Sequence, residues 1–357
     1  MVNDFIKEVN SNSNIDFIGY AETPFHLLGV KAFILHLSEQ LQRNVNGIII
    51  EGKHSTAGYL LNDDVINFPV CDYIKVFRFS LTELNHRCFK SESAINESRN
   101  PLVIISPVSP WIRLAVEYKK AFHVKVDTAC IDDGTGAYLS RHEFIKITQQ
   151  GKTALYVELK SIIRDCAKVI VRECNKIGEV EFSIFKKRSF MNDKVVDYYR
   201  RVIEQDVEKN NDLGNKYIIY LGTVDEIKDV QTAHNTRVIC LLKEFYNKGY
   251  KVYIKMHPRD TDGLGEVDFP VVSLPQEKSI EEIIASVTNK PDVVIGHGST
   301  ALLTLAVFWG IETWSLSDSK LNYDSVNGFN KMVTDNPQKT GKIKLYDINA
   351  NIEVNIH

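Results

Sequence analysis

Short β-branched runs alternate with amphipathic helical stretches along most of the chain, a pattern that predicts βαβ units and parallel sheet. Ile15 to Tyr20 reads as the first strand, and Thr23-Pro24 supplies an N-cap and a preset first helical residue. Phe25, Leu28, Phe33 and Leu37 carry the apolar face of that helix. Gly47 to Ile50, Leu102 to Ser106 and Val124 to Ile131 read as further strands, with Ser109-Pro110 opening a helix that runs through Ala121. Between about 140 and 212 the pattern loosens into helical stretches rich in Lys, Arg and Glu, and the polar run Glu208 to Asn215 predicts a domain boundary. Tyr217 to Leu221 restarts the alternation. Val238, Leu241, Leu242 and Phe245 form a helical stripe that Gly249 ends, followed by a strand over Tyr250 to Met256. Ser279 with Glu282 makes a capping box, Asp292 to Ile295 is a buried strand, and Ser299 to Trp309 is a helix closed by Gly310. The expected organisation is a Rossmann-like domain over 1–212 with a helical extension and a second Rossmann-like domain over 213–330. Residues 331–357 are expected as a tail that packs back on the first domain.

At 357 residues the chain exceeds one ordinary core, which stops growing near about 250 to 300 residues, so two domains are also what length implies. With 43 Lys and Arg against 46 Asp and Glu there is no global field to hold a polyanion, which argues against a nucleic-acid partner. The six cysteines are scattered without metal-ligand spacing and read as reduced thiols. No apolar run reaches the ~18 residues of a membrane span, and the first fifteen residues are polar and Asn-rich. The expectation is a cytoplasmic protein, with Lys186-Lys187-Arg188 as a basic cluster that could touch anionic lipid at the inner membrane face or stay solvated.

In open α/β sheets ligands bind beyond the carboxyl ends of the strands, so residues following each strand carry the chemistry. Four segments stand out. Asp132-Asp133-Gly134-Thr135-Gly136 ends a strand with two acids, either a general base or a capped turn. Leu221-Gly222-Thr223-Val224-Asp225 opens the second domain, with Asp225 either facing a ligand or on a solvated acidic face. In Lys255-Met256-His257-Pro258-Arg259, Pro258 biases His257 to an extended conformation, and a held imidazole can protonate a departing phosphate. Lys255 and Arg259 would neutralise that phosphate. Gly296-His297-Gly298-Ser299-Thr300 joins a strand to a helix N-terminus, where free amides and two hydroxyls suit an anion. It lacks the Walker Lys and the full dinucleotide Gly spacing, so neither an ATPase nor an NAD enzyme is implied.

In this order the four segments resemble the bacterial sialyltransferases, most closely glycosyltransferase family 52, the lipooligosaccharide sialyltransferases. Thr23-Pro24-Phe25-His26-Leu27-Leu28 also resembles that family's first strand-helix junction. Family 38, the capsular polysialyltransferases, is similar nearly to the same degree, and family 52 fits better at Asp225. The resemblance implies a GT-B fold, two Rossmann-like domains with a cleft between them. It further implies a CMP-sialic acid donor, a glycan acceptor of lipooligosaccharide or capsule type, inversion at the anomeric carbon, and no metal or other cofactor. It permits a homodimer. Catalytic roles would fall to Asp225 or Asp133 and Asp132 as base and to His257 as acid. Substrate binding would fall to Gly134, Thr135, Gly222, Thr223, Lys255, Pro258, Arg259, His297, Gly298, Ser299 and Thr300. The His-Pro and Ser-turn segments also resemble teichoic-acid glycerophosphotransferases that use CDP-glycerol; a non-catalytic nucleotide- or glycan-binding module is the remaining alternative.

Overall fold

A computed structural model describes residues 2–52, 67–79, 83, 89, 99–107, 111–132, 154–184, 193–205, 207, 212–222, 228–257, 263–276, 278–317, 329–330, 333–334 and 337–350. They divide into two compact units, with the change-over between Val202 and Ile203. That is inside a helix, about one helical turn or two ahead of the polar run at Glu208 to Asn215.

The first unit holds six parallel strands, β1 (Phe17–Ala21), β2 (Val45–Glu51), β3 (Cys71–Arg78), β4 (Leu102–Ser106), β5 (Val126–Ile131) and β6 (Gly178–Phe182), in the order β3-β2-β1-β4-β5-β6. β1 is buried at every position, as a strand covered by helices on both faces must be, and its residues are apolar without alternation. Helix α1 (Val2–Ser11) comes from the stretch read as a polar start. Val2, Phe5 and Val9 recur at helical spacing and are buried, with the Phe5 ring 5.6 Å from Phe77 and 5.3 Å from Phe79. Three buried apolar residues among ten, with Ile6 packed beside them, were enough to dock it. Helix α2 (Pro24–Leu41) begins as expected, Thr23 Oγ1 accepting from the His26 amide at 3.2 Å. Helices α3 (Ile112–Phe122), α4 (Ala154–Cys174) and α5 (Asp193–Gln205) complete the unit's described elements, α5 running across the change-over.

The second unit repeats the arrangement with β7 (Tyr217–Leu221), β8 (Lys251–Lys255), β9 (Val271–Ser273), β10 (Val293–Gly296), β11 (Glu312–Ser317) and β12 (Ile343–Asp347), ordered β12-β11-β10-β7-β8-β9. Counted within its own unit, each sheet therefore has the Rossmann order 3-2-1-4-5-6. Helix α6 (Lys228–Asn247) buries Val238, Leu241, Leu242 and Phe245, the stripe read from the sequence. Helix α7 (Ile280–Ser286) carries the expected capping box, and α8 (Thr300–Trp309), apolar on nearly every side, is buried from Leu302 to Ala306 and ends at Gly310 with φ 65°. The short helix α9 (Pro337–Thr340) precedes β12.

Residues 343–347 of the expected tail have a defined place: Thr313 to Ser317 pair in parallel with Ile343 to Asp347, so β12 is the edge strand of the second sheet. Its apolar residues are few because an edge strand needs cover on little of its surface. Trp314 is fully buried, its ring 5.3 Å from Phe245 and 4.6 Å from Tyr346, so it belongs to the core and offers no interface.

Candidate active site

A doubly wound sheet opens a crevice where strand order reverses, between its first and fourth strands. In the second unit that point lies between β7 and β10, with β8 beside β7. Three of the four segments singled out in the sequence leave the sheet there. Gly222 follows β7, and its amide donates to the Lys255 carbonyl at 2.9 Å, which registers this loop to the end of β8. His257 stands two residues past β8, half-buried. Gly298 has φ 47°, a left-handed conformation that lets the chain turn sharply from β10 into α8. Its amide donates to Ser315 Oγ at 3.2 Å, and Ser299 caps α8 by accepting from the Ala301 amide at 3.3 Å. Thr300 is the first helical residue. Amides of the first turn with a capping hydroxyl form a ready anion site.

Two of the expected binding residues are differently engaged. The Lys255 ammonium donates to the Pro275 carbonyl at 2.9 Å and the Gln276 carbonyl at 3.5 Å. It holds the segment after β9, where the sequence reading had it on a phosphate. His297 packs edge-on against His234 of α6, ring centroids 4.0 Å apart, and its Nε2 is buried with no hydrogen-bond partner among the described residues. Burial first, then the neighbouring His234, hold its pKa well below the ordinary histidine value, against the opposing effect of a hydrogen bond to the Leu316 backbone carbonyl. The ring is thus neutral and its contacts are internal.

This carries a pH prediction. A histidine whose folded pKa is depressed keeps its stabilising contribution above the unfolded value near 6.5 and loses it as pH falls from there toward the folded value, because the unfolded chain takes up a proton the folded one refuses. Glu281, fully enclosed and bonded by Thr304 Oγ1 at 2.7 Å, has its pKa raised by burial and slopes the opposite way. The readout is therefore a difference: between pH 7.5 and 5.5 the urea midpoint of the wild type should fall more than that of His297→Gln. Equal falls would remove the effect.

In the first unit, Asp132 ends β5 and is 2% exposed. Its Oδ2 accepts from the Ile184 amide at 2.6 Å and from the Tyr199 hydroxyl at 3.4 Å. Burial, then the adjacent Asp132 charge, push the Tyr199 pKa far up, so that hydroxyl stays protonated and donates. Asp132, which the sequence offers as a base, thus holds two buried donors at the end of β5. At this sheet's own reversal point, between β1 and β4, the Glu22 carboxylate accepts from Tyr20 and the Glu22 amide donates to His26 Nδ1 at 3.3 Å. Neither Glu22 nor His26 was chosen as a site residue, although the strand-end rule applied to β1 points to both. Asp133, Gly134, Thr135, Thr223, Asp225, Pro258 and Arg259 lie outside the described residues. No group of three or more His, Cys, Asp or Glu side chains among the described residues is arranged to hold a metal ion.

The chain folds as two parallel α/β domains, each of Rossmann order, as in the GT-B fold. The family model described as alpha-2,8-polysialyltransferase (POLYST) matches residues 20–317, and the chain belongs to that family. It is a glycosyltransferase of the sialyltransferase kind. No curated protein sequence matches it. Among solved structures it is similar to an α/β-galactoside α-2,3-sialyltransferase from Photobacterium phosphoreum, at 13% identity and TM-score 0.44 over 93% of this chain and 98% of that one. It is also similar to Acinetobacter baumannii MurG, at 9% identity and TM-score 0.43 over 94% and 86% of the two chains. Escherichia coli heptosyltransferase WaaC shares 8% identity at TM-score 0.36 over 91% and 99%. At these values the likenesses carry no further argument. No described helix is long and apolar enough to cross a membrane.

Proposed function

We propose that the protein transfers sialic acid from CMP-sialic acid to a hydroxyl of a sialylated glycan, with inversion at the anomeric carbon and without a metal. The observation that carries this reading is the adjacency of β10, β7 and β8, which gathers Gly222, His257 and the Gly298-Ser299-Thr300 turn at one edge of one sheet. The α8 amides and the Ser299 and Thr300 hydroxyls hold the oxygens of the CMP phosphate where charge develops as the glycosidic bond breaks. His257 protonates or hydrogen-bonds that phosphate as it departs. Asp225 removes the acceptor proton, with Asp133 as the next candidate, while the anomeric centre becomes oxocarbenium-like. The family described as making α-2,8-polysialic acid favours a sialylated terminus, on capsule or lipooligosaccharide, over a bare galactose.

Incubation of the full chain with CMP-sialic acid tests the donor and the acceptor together. CMP release that depends on a sialylated oligosaccharide, with products longer by one or more residues, is the expected result. Transfer only to a galactose-terminated acceptor would move the reading to the lipooligosaccharide type. Turnover of CDP-glycerol alone would replace it with a glycerophosphotransferase, and binding without turnover would leave a nucleotide-binding module. Undiminished turnover in excess EDTA is expected for the metal-free mechanism.

A further inference from the structure

Among the described residues of the first unit, α4 carries most of the exposed large apolar side chains. Leu159, Ile162, Ile163, Val169 and Ile170 are 58%, 48%, 61%, 47% and 61% exposed, and Cys166 among them is exposed as well. At about 100° per residue these six fall within an arc of roughly 120°, one continuous apolar face of the helix. Single exposed leucines need no explanation, but a contiguous apolar face does.

The geometry points to a second copy of this chain as the occupant, the two α4 helices packed antiparallel about a two-fold axis near Cys166. The spacing is symmetric about that residue. Ile163 and Val169 lie three positions to either side and Ile162 and Ile170 four; the apolar symmetry ends there, because Leu159, seven positions away, faces Glu173. An isologous contact requires that residue i meet j while j meets i, and such a pattern meets itself when reversed. The apolar side-chain surface of this face is on the order of 500 Å² per copy, about 1,000 Å² for two, which meets the size a specific interface must clear.

Charge disfavours a lipid surface. The described side chains of α4 include Asp165 and Glu173 beside Lys168 and Arg172, and Arg172 is ion-paired with Glu179. The neighbouring strand β6 exposes Glu179 and Glu181, so the surround offers anionic headgroups no net attraction. Those glutamates also direct the contact to the helix. β6 is an edge strand, and antiparallel pairing of two β6 edges about Val180 would set Glu179 against Glu181 of the other copy, which like charges oppose.

The inference is independent of the catalytic reading, and its test uses no substrate. Light scattering of the full chain at tens of micromolar should give twice the 40.7 kDa mass of one chain. Ile163→Glu and Ile170→Glu should each halve the measured mass, and their melting temperature should match that of the wild type diluted until it is monomeric, since both side chains are exposed in the single chain. On the wild type, mild oxidation should yield a disulfide-linked dimer that Cys166→Ser abolishes and Cys174→Ser does not. A monomer at that concentration, a dimer untouched by either glutamate, or a cross-link that needs Cys174 would overturn it. So would binding of a monomeric wild type to phosphatidylglycerol vesicles that Ile163→Glu abolishes, which would assign the face to a membrane.

Discussion

Replacing His257 with alanine is expected to lower kcat by about 10² to 10⁴, the usual contribution of a positioned acid, with little change in the urea midpoint. The side chain follows β8 by two residues and is only half-buried, so its loss opens no core cavity. The strand itself is held on both sides. Leu221 pairs with Lys255 in the register of β7 and β8, and the Gly222 amide bonds the Lys255 carbonyl. The proline that follows in the sequence biases the His257 backbone to extended conformations, which limits how far the imidazole can swing. Because the acid acts on a leaving phosphate, the effect should fall mainly on kcat and less on donor KM. Its signature is a pH profile: the wild-type rate falls as His257 loses its proton, and the variant's residual rate lacks that limb. A full rate with an unchanged profile would remove the acid role. Lys255→Ala should behave differently, with a modest fall in midpoint, since its ammonium bonds two backbone carbonyls after β9.

The parts legible in the sequence were those written in local chemistry. Thr23-Pro24, the Ser279–Glu282 box and Gly310 mark helix ends by side-chain and backbone rules that hold wherever the helix sits, and all three are where the sequence put them. The fully apolar runs at β1, β7 and β10 mark strands buried on both faces, hence parallel sheets. Edge and short strands were hidden. β6 is exposed at four of five positions and β9 has three residues, so neither has a hydrophobic signature to read. At the candidate site, strand ends point to the loops at the sheet's reversal, because the crevice of a doubly wound sheet follows from topology. Side-chain direction did not follow. Whether His297 meets a ligand or His234, and whether Lys255 meets a phosphate or the Pro275 carbonyl, depends on neighbours more than 15 residues away in the chain.

The doubled acid shows the same division, and it yields the second large effect. Asp132→Ala should destabilise the protein by about 3 kcal/mol, because it strands two buried donors, the Ile184 amide and the Tyr199 hydroxyl. Neither can turn to water. Ile184 and Tyr199 are both fully buried, and Tyr199 lies so close over α2 that a Cβ on Gly29 would come within 2.5 Å of its hydroxyl oxygen. Asp132→Asn keeps one acceptor oxygen and should cost about 1 kcal/mol, the net worth of an ordinary hydrogen bond. Tyr199→Phe removes one donor, so its effect and that of Asp132→Asn should be less than additive, as expected of directly bonded partners. If Asp132 anchors the end of β5, Asp132→Asn should turn over within several-fold of wild type below its melting transition. Asp225→Asn should then lose most activity at an unchanged midpoint. Near-normal turnover of Asp225→Asn with a dead Asp133→Asn would move the base to Asp133. A stable Asp132→Asn that has lost 10³ in kcat would return the role to Asp132 itself and leave its bonds to Ile184 and Tyr199 as the means of aiming it.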